Sequence, residues 1–150
     1  MHRNKLWITG GKDDSLNSHI LDSTEYIMPN GKSILGPNLP FKLAGHSMVN
    51  VNYTHTLIIA GRRLLPPSSR GPISTTVSNT WYFNHEDQTF TEGPELNYSR
   101  EFFSVGLMKD SVTKEDLIIV AGGSTEELQV VPGNFLYAIL KTVMKNLALT

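Results

Sequence analysis

Short apolar runs that end in glycine recur along this chain. The clearest occupies residues 116–123, where Leu-Ile-Ile-Val-Ala is followed by two glycines. Earlier runs end at Gly10-Gly11 and at Gly61. Self-similarity at a period of roughly 50 residues is typical of stacked repeat units, and glycine at a strand end permits a backbone with positive φ. The pattern therefore predicts an all-β repeat protein in which each unit contributes one such buried strand.

Turn residues divide each repeat into short strands. The Asn-Gly pair at 30–31 favours a tight hairpin turn, and Gly-Pro pairs at 36–37 and 93–94 end the outer strands at matching places. Residues 23–27 align with 79–83. Each unit is thus predicted to be a small antiparallel sheet of four strands, which a neighbouring sheet has to cover because one such sheet is marginal alone.

Two positions depart from the common pattern of the repeats. In the alignment, Arg62 takes the place of the second glycine of the middle unit, and Leu43 stands where Arg100 stands in the next unit. The prolines, serines and glycine that follow Arg62 predict a long irregular loop over residues 62–78.

The order of these features resembles the kelch repeat, a family whose repeats form β-propeller blades. The resemblance covers residues 5–128 and is most specific in residues 79–123. The residues of that unit that stand in kelch order are Trp81, Tyr82, Gly93, Pro94, Arg100, Ser104, Gly122 and Gly123.

The resemblance implies kelch-type β-propeller blades, about two and a half of them, each a four-stranded antiparallel sheet. We expect a partial propeller over residues 1–131, with blades at 5–35, 44–91 and 101–131. Since two and a half blades do not close a ring, we expect further kelch blades in a longer parent chain.

Residues 132–150 form a separate C-terminal segment in this scheme. Apolar residues there follow helical spacing, which predicts a short helix over 135–149. These residues are Phe135, Ile139, Val143, Met144 and Leu147.

Composition excludes several classes of function. The net charge is -1 and 18% of residues are charged, which argues against a nucleic-acid binder. No apolar run reaches the length of a membrane span. The absence of cysteine excludes thiolate chemistry and fits a cytoplasmic protein. Charge is nevertheless uneven, because residues 1–75 carry eight Lys/Arg and four Asp/Glu, whereas residues 76–150 carry five and ten.

The sequence predicts no cofactor and no metal site, since none of the five histidines has a partner at ligand spacing. We expect His46 to be a packed residue whose ring is hydrogen-bonded to a neighbouring blade. We interpret the aromatic residues as packing between blades rather than as a ligand cage. They are Trp7, Tyr26, Trp81, Tyr82, Phe83 and Phe90.

We therefore expect a protein-interaction module and no enzyme. The resemblance implies a substrate receptor of a cullin-based ubiquitin ligase, in which BTB and BACK domains precede the blades. The alternatives are an actin-binding scaffold and a truncated paralogue without activity. An enzyme on a kelch scaffold, such as the copper enzyme galactose oxidase, needs a crosslinking cysteine that this chain lacks.

Strand direction predicts where a partner binds. In an up-and-down sheet alternate connections lie at the same end, so the loops after the glycine-ended strands share an end with the links between blades. Long loops on a rigid scaffold are the usual place for recognition. In kelch receptors, arginines and serines near the start of the innermost strand bind acidic peptides, and the resemblance implies the same role here. The predicted partner-binding residues are Lys12, Arg62, Arg63, Arg70, Ser99, Arg100 and Phe102.

The predicted partner is a protein or an acidic peptide held by Arg62, Arg63 and Arg100. Two other interpretations stay open. Arg62, Arg63 and Arg70 can belong to a solvated loop, and Arg100 can brace the neighbouring blade.

Overall fold

The computed structural model describes residues 5–13, 19–65, 73–114 and 116–125, together with the backbone of 137–140. Every regular element in these ranges is a β-strand, so the predicted all-β class is confirmed. No helix that could cross a membrane occurs in the described ranges. The strands are β1 (Leu6–Thr9), β2 (Thr24–Ile27), β3 (Ser33–Leu35), β4 (Leu43–Ala44), β5 (Ser47–Asn50), β6 (His55–Leu64), β7 (Ser74–Asn84), β8 (Thr89–Glu92), β9 (Ser104–Lys109), β10 (Asp116–Ala121) and β11 (Tyr137–Leu140).

The strands form three antiparallel sheets that follow one another along the chain. Sheet 1 has the order β1-β2-β3. In sheet 2 the order is β4-β6-β7-β8, and β5 also pairs with β6. Sheet 3 has the order β11-β10-β9. None of these described sheets closes on itself.

Two hydrophobic cores lie between the sheets. Trp7 of sheet 1 stacks on Phe83 of sheet 2 with ring centroids 4.4 Å apart, and Ile58 is buried with them. On its other face, sheet 2 packs Leu57 and Ile59 against Val120 of sheet 3. Sheet 2 is therefore covered on both faces, which explains why residues 56–60 are all buried.

For Trp7 and Phe83, the predicted packing of aromatic residues between sheets is confirmed. His46 also behaves as predicted, because its Nε2 lies 2.7 Å from the hydroxyl of Thr9 in sheet 1. His46 itself belongs to sheet 2, in the short connection between β4 and β5.

The long loop predicted over residues 62–78 is wrong at both of its ends. β6 runs through Leu64 and β7 begins at Ser74, and the two strands pair as one long hairpin. Residues 74–77, Ser-Thr-Thr-Val, are rich in β-branched side chains, which favour strands. Only residues 66–72 of the predicted loop lie outside the described residues. Arg62 and Arg63 consequently lie on a strand.

The assignment of Arg62 to the second glycine position is also wrong. Ala60 and Gly61 have φ values of 47° and 107°, matching 53° and 109° at Gly10 and Gly11. The register of β6 and β7 shifts between Ile59 and Gly61, so the sheet has an irregularity at this point. Ala60 thus replaces the first glycine of the pair, and Arg62 follows the pair as Lys12 follows the first one.

The helix predicted over 135–149 is wrong for the part that the structure describes. Residues 137–140 form β11, which pairs with β10 from Ile118 to Ala121. Tyr-Ala-Ile-Leu suits an extended strand, and pairing with the free edge of β10 outweighs the helical spacing of the apolar residues. The rest of the predicted helix lies outside the described residues.

Candidate functional site

Equivalent backbone hydrogen bonds define one end of the three sheets. The N–H of Gly11 donates to the carbonyl of Leu43 at 2.8 Å, and the N–H of Gly61 donates to the carbonyl of Arg100 at 2.8 Å. Each bond ties the end of one sheet to the segment that enters the next. We call this end, which holds Gly11, Gly61 and Gly123, the glycine end.

Residues 43–45 bring three of the predicted site residues together at the glycine end. Lys12 follows the glycine whose N–H donates to Leu43. Arg63 pairs with Leu43 across β4 and β6. The N–H of Phe102 donates to the carbonyl of Gly45 at 2.8 Å. The cluster Lys12, Arg63 and Phe102 is the candidate binding surface.

Phe102 is the apolar member of this surface, and it is highly exposed. Its side chain is 75% exposed although its backbone has a φ of 55°, in the left-handed region. The equivalent residue of sheet 2 is Gly45, with a φ of 62°. Both residues stand two positions before a serine that begins a strand. A Cβ on Gly45 would lie 3.3 Å from Cε1 of Phe102, so the phenyl ring rests against that glycine.

Arg63 adds a cation to the surface. Its guanidinium lies over the ring of Phe41, 4.8 Å from the ring centroid. Nε of Arg63 is buried without a hydrogen-bond partner. Among the described residues no carboxylate pairs with it. The stacked geometry holds the planar cation in a fixed position from which it can meet an acidic group.

Arg62 faces the other side of the sheet and is used within the fold. Its guanidinium makes two hydrogen bonds to the carboxylate of Glu101, at 2.9 Å from Nε and 2.7 Å from Nη2. Both backbone groups of Glu101 are in turn bonded to Ser124 at 2.9 Å. Arg62 therefore joins sheet 2 to sheet 3.

Ser99 and Arg100 do not lie on the surface. The hydroxyl of Ser99 is buried between those of Thr76 and Thr125, at 3.0 Å from each. Arg100 is only 4% exposed, and its Nη1 donates to the carbonyl of Gly122 at 2.6 Å. Burial lowers the pKa of the Arg100 guanidinium. This geometry matches the alternative in which Arg100 braces the neighbouring unit.

The remaining predicted site residue, Arg70, lies outside the described residues. Phe41 and Glu101, which contact two of the predicted arginines, are not among the predicted site residues. Phe41 stands alone as an aromatic residue between Pro40 and a lysine, which is a signal for a side chain with a specific contact. Glu101 directly follows Arg100, but nothing in the pattern shows that it turns towards Arg62.

A groove of about 950 Å³ lies at the opposite end of sheets 1 and 2. Trp7 and Tyr26 form its aromatic wall, and Lys5 Nζ lies 5.6 Å from the centroid of the Tyr26 ring. Thr56 donates from its hydroxyl to Asn50 at 2.7 Å beside it. None of the predicted site residues lines this groove.

The described part of the chain holds no group of three His, Asp or Glu side chains that converge as metal ligands would. Comparison with known proteins gives no further assignment, because no family model matches the chain and no curated protein matches it significantly.

Proposed function

We propose that this chain is a kelch-type protein-interaction module, built of β-propeller blades, whose glycine end binds an acidic peptide segment. The observation that carries the proposal is Phe102, an aromatic side chain that is 75% exposed on a backbone with positive φ. Lys12 and Arg63, which lie at the same end of the sheets, supply the positive charge.

The conformation of Phe102 supports a role outside the fold. A non-glycine residue in the left-handed region costs about 1–2 kcal/mol, and the equivalent unit avoids this cost with Gly45. Because the Phe102 ring is exposed, its burial offsets little of this conformational cost. Strain held at an exposed side chain is typical of functional positions. A rigid, exposed aromatic residue is also a frequent anchor in protein interfaces.

Charge supports an acidic partner. Arg63 has its guanidinium preorganised over Phe41, and Lys12 is exposed. A carboxylate that pairs with a stacked guanidinium gains a charge-assisted hydrogen bond, while an apolar residue next to it can cover Phe102. We therefore propose a partner segment that carries both an acidic and an apolar residue.

The kelch resemblance supports a more specific role. We propose that the module recognises substrates for a cullin-based ubiquitin ligase in the cytoplasm and performs no chemistry itself. The support is the order of the kelch motif residues in 79–123, and the absence of cysteine fits a reducing compartment.

A random peptide library selected on the purified chain tests the binding proposal. Binders are counter-selected on Phe102→Gly, a variant that copies Gly45 and relieves the strained backbone. We expect enriched peptides with acidic and apolar residues, binding at least tenfold more weakly to Phe102→Gly and to Arg63→Glu. Lys109→Glu, at the turn end of sheet 3, is the matched charge control and should bind normally. Failure to enrich any peptide, or equal binding to all variants, would contradict the proposal.

A second assay separates the ligase role from the cytoskeletal one. If the cytoskeletal alternative is right, the chain should cosediment with filamentous actin, and the Phe102→Gly variant should stay in the supernatant. We expect no such cosedimentation.

A further inference from the structure

Among the described residues, one face of sheet 1 is largely apolar and exposed. The register of β1, β2 and β3 places Leu6 and Ile27 next to each other, and Ile8 and Leu35 on either side of Glu25. Leu6, Ile8 and Leu35 are exposed, and Ile27 is partly exposed. We call these four residues the head face.

Among the described residues, the far face of sheet 3 is partly exposed. In β10 the side chains of Leu117 and Ile119 alternate with the buried Ile118 and Val120. Met108 of β9 pairs with Leu117 and is 50% exposed. Leu117, Ile119 and Met108 form what we call the tail face.

The two internal junctions show how such faces are covered. Ile8, Ile58 and Val120 occupy equivalent positions in the three sheets. Each stands three residues before the last residue of the pair at the glycine end, which is Gly11, Gly61 or Gly123. Ile58 and Val120 are 1% and 0% exposed because a preceding sheet covers them, whereas Ile8 is 44% exposed. The head face is therefore the same kind of surface as the two that are buried inside the chain.

Stacking of the sheets has a direction. The face of sheet 2 that corresponds to the head face is covered by sheet 1, and the corresponding face of sheet 3 is covered by sheet 2. In each case the covering sheet uses the face opposite to its own head-face position. The tail face is that opposite face in sheet 3. A tail face placed on a head face would repeat a junction that the chain already makes twice, and a contact between two head faces would not.

In place of the further blades of a longer parent chain that the sequence leads us to expect, we propose that two copies of this chain associate head to tail, with the tail face of each copy on the head face of the other. The sheets described in two copies number six, within the range of about four to eight sheets that closes a ring. A ring with both junctions satisfied leaves no open face for further growth.

Native mass spectrometry and sedimentation velocity of the full chain test this proposal. We expect a single species at twice the chain mass of 16.7 kDa, with no ladder of larger species. A head variant, Leu6→Glu with Ile8→Glu, and a tail variant, Met108→Glu with Leu117→Glu, should each be monomeric. Val112→Glu, which changes an equally apolar and 86% exposed residue at the β9–β10 turn, should remain dimeric.

Mixing the two variants gives the decisive result. The head variant keeps an intact tail face, and the tail variant keeps an intact head face. The mixture should therefore form a heterodimer joined by one junction, which also shows that both variants are folded. A monomeric wild-type chain, an open-ended ladder, a tail variant that still dimerises alone, or a mixture that stays monomeric would each overturn the proposal.

Discussion

The guanidinium of Arg62 and the carboxylate of Glu101 form two parallel hydrogen bonds, at 2.9 and 2.7 Å, between sheet 2 and the segment that leads into sheet 3. The Glu101 side chain is 9% exposed and that of Arg62 27%. The pair is thus a partly buried brace between two sheets, and its removal should be visible as a change in stability.

We expect Arg62→Glu to lower the free energy of unfolding by about 2–4 kcal/mol, because it sets two carboxylates against each other in a partly buried site. The double variant Arg62→Glu with Glu101→Arg should recover part of the loss. Chemical denaturation of the single and double variants measures both effects. A fully stable Arg62→Glu protein would show that the pair does not brace the sheets.

The two glycines after β10 should differ in their tolerance of a side chain. Gly122 and Gly123 have φ values of 77° and 88°, so alanine is strained at either position. A Cβ on Gly122 meets nothing within 4 Å, whereas one on Gly123 would lie 2.6 Å from the carbonyl oxygen of Glu101. We expect Gly122→Ala to cost about 1 kcal/mol and Gly123→Ala about 2–4 kcal/mol. Equal melting temperatures for the two variants would contradict this prediction.

His46 should make the fold sensitive to acid. Burial lowers the pKa of its imidazole from 6.5 to about 4. The folded chain binds this proton more weakly than the unfolded chain, so stability is complete above pH ~6.5 and falls as the pH decreases towards 4, by at most roughly 3 kcal/mol.

Unfolding free energies measured from pH 7 to pH 4 test this contribution. His46→Phe copies Phe103 at the equivalent position, two residues after Glu101 as His46 is after Ala44. This variant should show a shallower decline with acid than the wild-type chain. His19→Gln, at an exposed position, should keep the wild-type decline. Parallel curves for wild type and His46→Phe would rule His46 out as the source.

Two threonines should contribute equally to stability. The hydroxyl of Thr24 donates to the carbonyl of Pro37, and that of Thr80 to the carbonyl of Pro94, both at 2.8 Å. Valine keeps the shape and removes the donor, so Thr24→Val and Thr80→Val should each cost about 1–2 kcal/mol. Thr91→Val, at an exposed position of β8, serves as the control with little change. A large cost in one sheet and none in the other would show that the two units are not equivalent.

The repeat was predictable because its markers are local. The Gly-Pro pairs and the glycine-ended strands each impose a backbone geometry on a few neighbouring residues. The equivalence of Thr24 and Thr80 follows from the alignment of 23–27 with 79–83. The all-β class and the packing between sheets follow from the same residues.

The errors arise where a distant contact outweighs the local pattern. Ala60 adopts a φ of 47° where the register of β6 and β7 shifts, and alanine carries no sign of such a conformation. Residues 137–140 become a strand because β10 offers them an edge. The candidate binding surface was partly predictable, since Lys12, Arg63 and Phe102 stand at the predicted end. Burial of Arg100 depends on packing that no short stretch of sequence shows.

The bonds from Gly11 to Leu43 and from Gly61 to Arg100 use backbone atoms alone. The residue that accepts the bond can therefore change from leucine to arginine without loss of the link. Spacing between successive units is in this way independent of side-chain identity at that position. Such a joint lets duplicated units diverge in sequence while they keep their arrangement, and it leaves the surrounding surface positions free to acquire different binding preferences.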